Sequence, residues 1–552
     1  MLNFYQELVW FSYRLFSGID AIARYRWVSI LVVFFLSFGG SWLWALWHGI
    51  PIPYVHDELS YLLAGDTFAH GRLTNPTHPM WIHFETFYVL QHPTYMSIYP
   101  PAQGAFLAIG KILFGYPIYG VWFSAGLMCA AICWMLYAWF SPRWAFLGGL
   151  VAVLQFGIFT YWSQSYWGGA VAGIGGALVF GALPRIFKTL RIRDALWLGL
   201  GCAILANSRP LEGFFVVIPV GCLVLPWKIR WKQLVLAKFI KKIIFPLSII
   251  LIITALGMGA YNKQITGKAD VLPYSIYSHT YDVPPFMWQP IRALSPFNHK
   301  IMELFERDKE SYVMSKKTWQ GFVKDMQKDS LRVSMFFFGY PLAIPSLAVL
   351  VLLFFHRQTA ARFWMALLIL LGTCAIIPWN VKSHYYSPLT CLAVLLLTTG
   401  LKGLGWLKLC GMRVGPLLVI FLMAFQLLLN IMLAPPQPTV LSLARNTQSF
   451  PIHLPQRFTR EELKNILIKK GGEYLVMVKY PLWHGYFWEW VYNDADIDHA
   501  PIVWARDMDQ EHNKKLLEYF KDRQALFIQV YWDKTDFPLF DARQYLWISP
   551  TR

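Results

Sequence analysis

Apolar runs of about twenty residues recur along most of this chain, with short polar connections between them. A helix needs about 20 apolar residues to cross the hydrocarbon of a bilayer, and by that measure the pattern predicts about eleven spans. They fall at 27–48, 118–140, 144–162, 167–184, 194–207, 211–227, 242–262, 333–355, 362–378, 386–401 and 414–433. The first run lacks a small-residue cleavage site and reads as an uncleaved span. Three longer polar stretches interrupt the pattern: 49–117, 263–332 and everything after 440. In the last, strand-like runs ("EYLVMVKY", "ALFIQVYW") alternate with helix-like ones ("REELKNILIKK", "QEHNKKLLEYFKDR"). That alternation predicts a small α/β domain. The expected fold is mainly α, a polytopic membrane protein. Residues 1–435 form its transmembrane domain, with interfacial helices in the first long loop, and 440–552 form a soluble α/β domain.

Composition supports a membrane protein. Of 552 residues, 56% are hydrophobic and 14% charged, and the mean hydropathy is +0.41. The net charge of +18 would suit a nucleic-acid binder, but the basic residues sit in short connections: "RIFKTLRIRD", "HRQTAAR" and "LKGLGWLKLCGMR". Retention of positive loops in the cytoplasm explains them, so no nucleic-acid partner is expected. The alternate connections are 49–117, where only Arg72 and Lys111 are basic, "SQSYW", "NSRPLEG", 263–332, "WNVKSHYYS" and the tail. These are expected outside the membrane, in a multi-pass protein. All seven cysteines lie in or beside apolar segments, which argues against a disulfide framework or a zinc signature.

The stretch "PIPYVHDELSYLLAGDTFAHGRLTNPTHP" follows the first span directly. Pro51 and Pro53 break that span, and Leu59, Leu62 and Leu63 then repeat at helical spacing up to Gly71. The spacing predicts an amphipathic helix lying along the membrane surface. Asp57 and Glu58 would occupy its first turn, where the helix dipole stabilises acids, with Tyr61 on the same face as Asp57. His56, His70, His78, His83 and His92 are five of the fourteen histidines, and Glu85 lies among them. A divalent metal held by His56, Asp57, His78, His83, Glu85 or His92 is one reading, although the spacing matches no strong metal signature.

Three expected outer turns carry polar groups near membrane depth: Gln164, Tyr166 and Trp167; Arg209 with Glu212; and Lys382, His384, Tyr385 and Tyr386. Ionisable groups there are functional candidates, and a phosphate held at the interface would want a guanidinium fork or an ammonium point charge. Arg209 and Lys382 fit that need.

The ordered set "HDELSYLLAGD", "YPPAQGAFLAIGKILFG", "SRP" and "KSHYYSPL" resembles the GT-C superfamily of membrane glycosyltransferases. More narrowly it resembles bacterial relatives of protein O-mannosyltransferases and of the lipid A aminoarabinose transferase. The likeness covers roughly 20–435. It implies transfer of a sugar from a polyprenyl-phosphate donor to a lipid, glycan or protein acceptor outside the membrane, typically without metal. It matches the family's acid to Asp57, with Glu58 beside it. Arg209, Lys382, His384 and Tyr385 would then hold the donor phosphate, and His56, Tyr61, His83, Glu85, Gln164, Tyr166 and Trp167 would contact substrate. The second acid that many relatives carry in the next outer loop is missing from "SQSYW". Glu85, Asp66 or a residue of 263–332 would have to replace it. A transporter or flippase is the alternative, but the repeated halves and mid-membrane breaks it would show are not read here.

Overall fold

The computed structural model describes residues 2–53, 55–219, 237–281, 297–339, 341–347, 382–409, 412–433, 460–480, 489–530 and 539–541. The span expected at 362–378 and parts of those at 211–227 and 333–355 lie outside these residues. The described chain is mostly helical. It splits into two compact units, one of Met1–Pro51, Ile118–Leu256 and Trp319–Phe450, the other of Ile52–Pro117, Gly257–Thr318 and Pro451–Arg552. Residues Ile52–Pro117 of the first long loop and the part of the second up to Thr318 fall in the unit that holds the tail, and the second loop from Trp319 on falls in the first unit.

In chain order, the first unit opens with α1 (Leu2–Ala23) and α2 (Arg26–His48). The second follows with α3 (His56–Ala69), β1 (Asn75–Pro76), β2 (Val89–Leu90), β3 (Thr94–Ser97) and α4 (Pro101–Phe114). The first resumes with α5 (Ile118–Leu136), α6 (Pro142–Ala152), α7 (Ala170–Thr189), α8 (Ile192–Ser208) and α9 (Pro210–Pro219). Helix α10 (Phe245–Thr266) runs from the first unit into the second, which then holds α11 (Pro273–Thr280) and α12 (Lys300–Lys316). Helix α13 (Trp319–Phe338), a 3-10 turn Ser383–Leu389, α14 (Thr390–Gly405), the short pair β4 (Lys408–Leu409) and β5 (Met412–Arg413), and α15 (Gly415–Leu433) complete the first unit. The tail adds α16 (Arg460–Lys470), β6 (Tyr474–Lys479), β7 (Ile502–Arg506), α17 (Gln510–Tyr519), β8 (Gln524–Gln529) and β9 (Leu539–Asp541).

Among the described residues six helices are long and apolar enough to cross a membrane: Arg26–His48, Ile118–Leu136, Ala170–Thr189, Ala237–Thr266, Ser383–Gly405 and Gly415–Met432. The span expected at 194–207 comes out longer and the one expected at 144–162 shorter. Helix α8 has 17 residues, and α6 ends at Ala152 in a π turn, Val153–Gly157. Side chains meet the carbonyls around that turn: Ser37 and Ser41 donate to Gly157 O at 3.0 and 2.9 Å. Gln155 itself donates to Phe336 O at 2.8 Å. A non-helical backbone survives in an apolar bundle only when satisfied in this way.

The tail forms a four-stranded sheet in the order β7-β6-β8-β9, with β6 parallel to β7 and β8, and β9 antiparallel to β8. One face shares a core with the first long loop: Leu63, Phe84, Val89 and Tyr95 pack with Leu475, Met477, Val503 and Phe527. The expectation of a surface-lying α3 is corrected here, because the helix is buried on most of its faces within this unit. Leucine spacing marked one apolar side, yet the small residues opposite admit α4. A Cβ on Gly65 would meet Leu107 Cβ at 2.7 Å, and one on Gly104 would meet Ala64 Cβ at 2.7 Å.

Candidate active site

In the second unit, α3 starts at Val55, whose N–H donates to Glu58 Oε2 at 3.1 Å. Glu58 is buried and caps its own helix, which gives it a supporting place. Asp57, one position earlier, faces a cluster of aromatic and charged groups. The Tyr99 hydroxyl donates to Asp57 Oδ1, and Tyr61 stacks on Tyr99 with ring centroids 4.4 Å apart. His56 Nδ1 lies 3.5 Å from Asp57 Oδ2. The His56 ring packs against Phe87, Tyr88 and Phe305 at 4.9, 5.2 and 5.3 Å. Asp57 keeps 18% of its side-chain surface exposed, against 3% for His56, so the carboxylate is the more accessible of the pair.

Helix α12 brings two further groups to the cluster, and the sequence reading missed both. Glu306 and Lys309 are fully buried, with Lys309 Nζ 3.6 Å from Glu306 Oε2. Burial pushes the Lys309 ammonium down to about 7, against the pull of the Asp57 charge. Burial, then the charge of Asp57, raises the phenol of Tyr99, which keeps it a donor. Tyr88 is raised by burial and then by Asp57, with Tyr277 and Glu306 adding to it. Among the described residues of 263–332, Glu306 is a buried acid near this cluster. Asp66 is taken up elsewhere, by the Lys111 ammonium and by Ala495 N–H at 2.7 Å.

The His83 ring fastens the tail, whereas the Glu85 carboxylate is held by residues of the 263–332 region. His83 places Nδ1 and Nε2 at 2.9 and 3.2 Å from the carbonyls of Arg506 and His512, and burial lowers its affinity for a proton. Glu85 accepts from the Tyr281 hydroxyl and from Asn298 Nδ2 at 2.9 Å. Nearby, Arg506 donates to Glu85 O at 2.8 Å and to Glu489 Oε2 at 2.6 Å, all of it buried. Of the other histidines, His78 pairs with Asp498 at 3.1 Å and His92 lies against Trp81. Among the described residues no three His, Cys, Asp or Glu side chains gather as a metal site would need.

The remaining candidates sit in the first unit. Arg209 caps the C-terminus of α8, and its guanidinium lies 5.2 Å over the Tyr385 ring and 3.5 Å from Glu212. His384 is buried and shares a hydrogen bond of 3.1 Å with the Tyr161 hydroxyl. Its ring lies 4.8 Å from those of Trp167 and Tyr385. Lys382, also buried, opens the turn Ser383–Leu389. That turn lies on α7 where Gly176 leaves room, since a Cβ there would stand 1.8 Å from Pro388 O. Arg209, Lys382, His384, Tyr385 and Trp167 therefore gather at one end of α7–α9. Two others brace the backbone: Gln164 donates to Ile158 O at 2.7 Å and Tyr166 to Pro51 O at 3.1 Å.

No protein-family model and no curated protein matches the sequence. Among solved structures, the chain is similar to the apo crystal structure of an oligosaccharyltransferase from Archaeoglobus fulgidus, with a TM-score of 0.42 and 11% identity. The match covers 82% of this chain and 62% of that one, so the chain spans less than two thirds of its length.

Proposed function

We propose that this chain is a membrane glycosyltransferase that moves a sugar from a polyprenyl-phosphate donor to an acceptor hydroxyl on the outer face of a bacterial cytoplasmic membrane. The observation that carries the reading is Asp57, a carboxylate with 18% of its side chain exposed, oriented by Tyr99 within an otherwise buried cluster. Asp57 takes or orients the proton of the acceptor hydroxyl. The hydroxyl oxygen forms a bond to the anomeric carbon, and the bond from that carbon to the phosphate oxygen breaks. The electron pair leaves with the polyprenyl phosphate. Arg209 and Lys382, helped by His384 and Tyr385, neutralise that phosphate. A single displacement inverts the anomeric centre, by analogy with inverting glycosidases. Fixed cations carry the charge stabilisation, and the acceptor is a lipid, a glycan or a protein.

The test uses membranes containing the full-length chain, supplied with polyprenyl-phosphate donors carrying labelled hexose or pentose. Label should pass to an acceptor with wild type and fall steeply with Asp57→Asn and with Arg209→Ala. Full transfer by both variants contradicts the reading, and solute uptake in place of transfer identifies a transporter.

A further inference from the structure

We propose that Lys309 is a positioning residue for Asp57: a buried ammonium that, together with Glu306, sets the ionisation of the acid. The inference rests on the role just given to Asp57. It starts from placement. Lys309 and Glu306 lie one turn apart on α12, buried to 3% and 2% exposure, with the amine 3.6 Å from the carboxylate. A buried lysine is costly unless charges pair with it. Glu306 lies against it, and α12 also packs on the neighbour of Asp57, with the Phe305 ring 5.3 Å from that of His56 and Lys309 Nζ 6.0 Å from the Phe305 ring; the charge of Asp57 favours the ammonium.

Among the described residues, further titratable groups reach the cluster from the elements packed on it. Helix α3 supplies His56. The β2–β3 region supplies Tyr88 and Tyr99, and α11 supplies Tyr277. From the tail, the Tyr492 phenol is raised by burial and then by Glu489, and Asp57 also acts on it. All the phenols are held neutral by burial. Lys309 is thus the cation that α12 contributes to offset two acids. Protonated, it favours the Asp57 carboxylate. Once it loses its proton, near pH 7, that support disappears and the two acids compete for the same field.

The test does not depend on transfer activity, so it separates this inference from the proposed function. The full-length protein in detergent is titrated by infrared spectroscopy, and the Asp57 carboxyl band is assigned by its loss in Asp57→Asn. Lys309→Met should raise the Asp57 midpoint by about 1–3 units, the usual effect of removing an adjacent opposite charge. Lys309→Arg, which keeps a permanent charge, should leave the midpoint within about half a unit of wild type. Glu306→Gln should shift it the other way, because a competing negative charge is gone. A midpoint that stays put in Lys309→Met and Glu306→Gln overturns the proposal. So does a midpoint that rises equally in Lys309→Met and Lys309→Arg, since that is the mark of disrupted packing. If Lys309→Met does not fold, the Arg and Gln variants decide.

Discussion

The two polar clusters are built by opposite means. The acid cluster of the second unit draws on α3, β2–β3, α11 and α12, so its groups come from segments far apart in sequence and are buried together. The cation cluster of the first unit comes from short turns at 161–167, 209–212 and 382–385, and it is organised by rings stacked around His384 and Arg209. Guanidinium on an aromatic face keeps its charge and its direction. Under the proposed function, the difference amounts to a division of labour: one cluster exchanges a proton and the other holds a fixed charge.

The largest expected effect breaks the acid side. Asp57→Asn should lower kcat by about 10²–10⁴-fold, the range for a lost general base, with little change in donor KM. Arg506→Met comes next and tests what holds the second unit together. It leaves Glu489 buried without the guanidinium that donates to it at 2.6 Å, and should cost about 3–5 kcal/mol in a denaturation measurement. On the cation side, Arg209→Ala should raise donor KM with a loss of about 1.5–3 kcal/mol, roughly 10- to 150-fold, as for hydrogen bonds to a charged group. Gly176→Leu should act in the same direction at a smaller scale, about 1–3 kcal/mol of overpacking, because it drives the Ser383–Leu389 turn off α7.

The subtlest effect is a pH slope. Folding lowers the Lys309 pKa from 10.5 to about 7, so between those values the unfolded chain binds more protons than the folded one. Stability therefore rises as pH climbs from about 7 and is flat below it. Thermal midpoints of wild type should show that rise, and Lys309→Met should lose it.

Much of the acid site was visible in the sequence, and the reasons differ residue by residue. Asp57 stood out because a charged triplet follows an apolar span directly, and Arg209 and Lys382 because each breaks an apolar stretch. Glu306 and Lys309 were not legible. They lie in "KIMELFERDKESYVMSK", where charges fall on every side of the helix and periodicity cannot tell an inward pair from solvated ones. Histidine density pointed to His83 and Glu85, yet the His83 ring meets tail carbonyls and the Glu85 carboxylate meets Tyr281 and Asn298, contacts that sequence spacing does not encode. Helix α1 falls outside the predicted spans, since its apolar residues are interrupted by Glu7, Arg14 and Asp20. The small-residue seam between α3 and α4 hid behind a leucine pattern that suggested a surface helix.

One measurement addresses the division of labour most directly: the affinity of polyprenyl phosphate, the released carrier, for purified wild type, Asp57→Asn and Arg209→Ala. The account predicts wild-type affinity for Asp57→Asn, despite its lost transfer, and binding about 10-fold or more weaker for Arg209→Ala. Unchanged binding by Arg209→Ala with weakened binding by Asp57→Asn would contradict it.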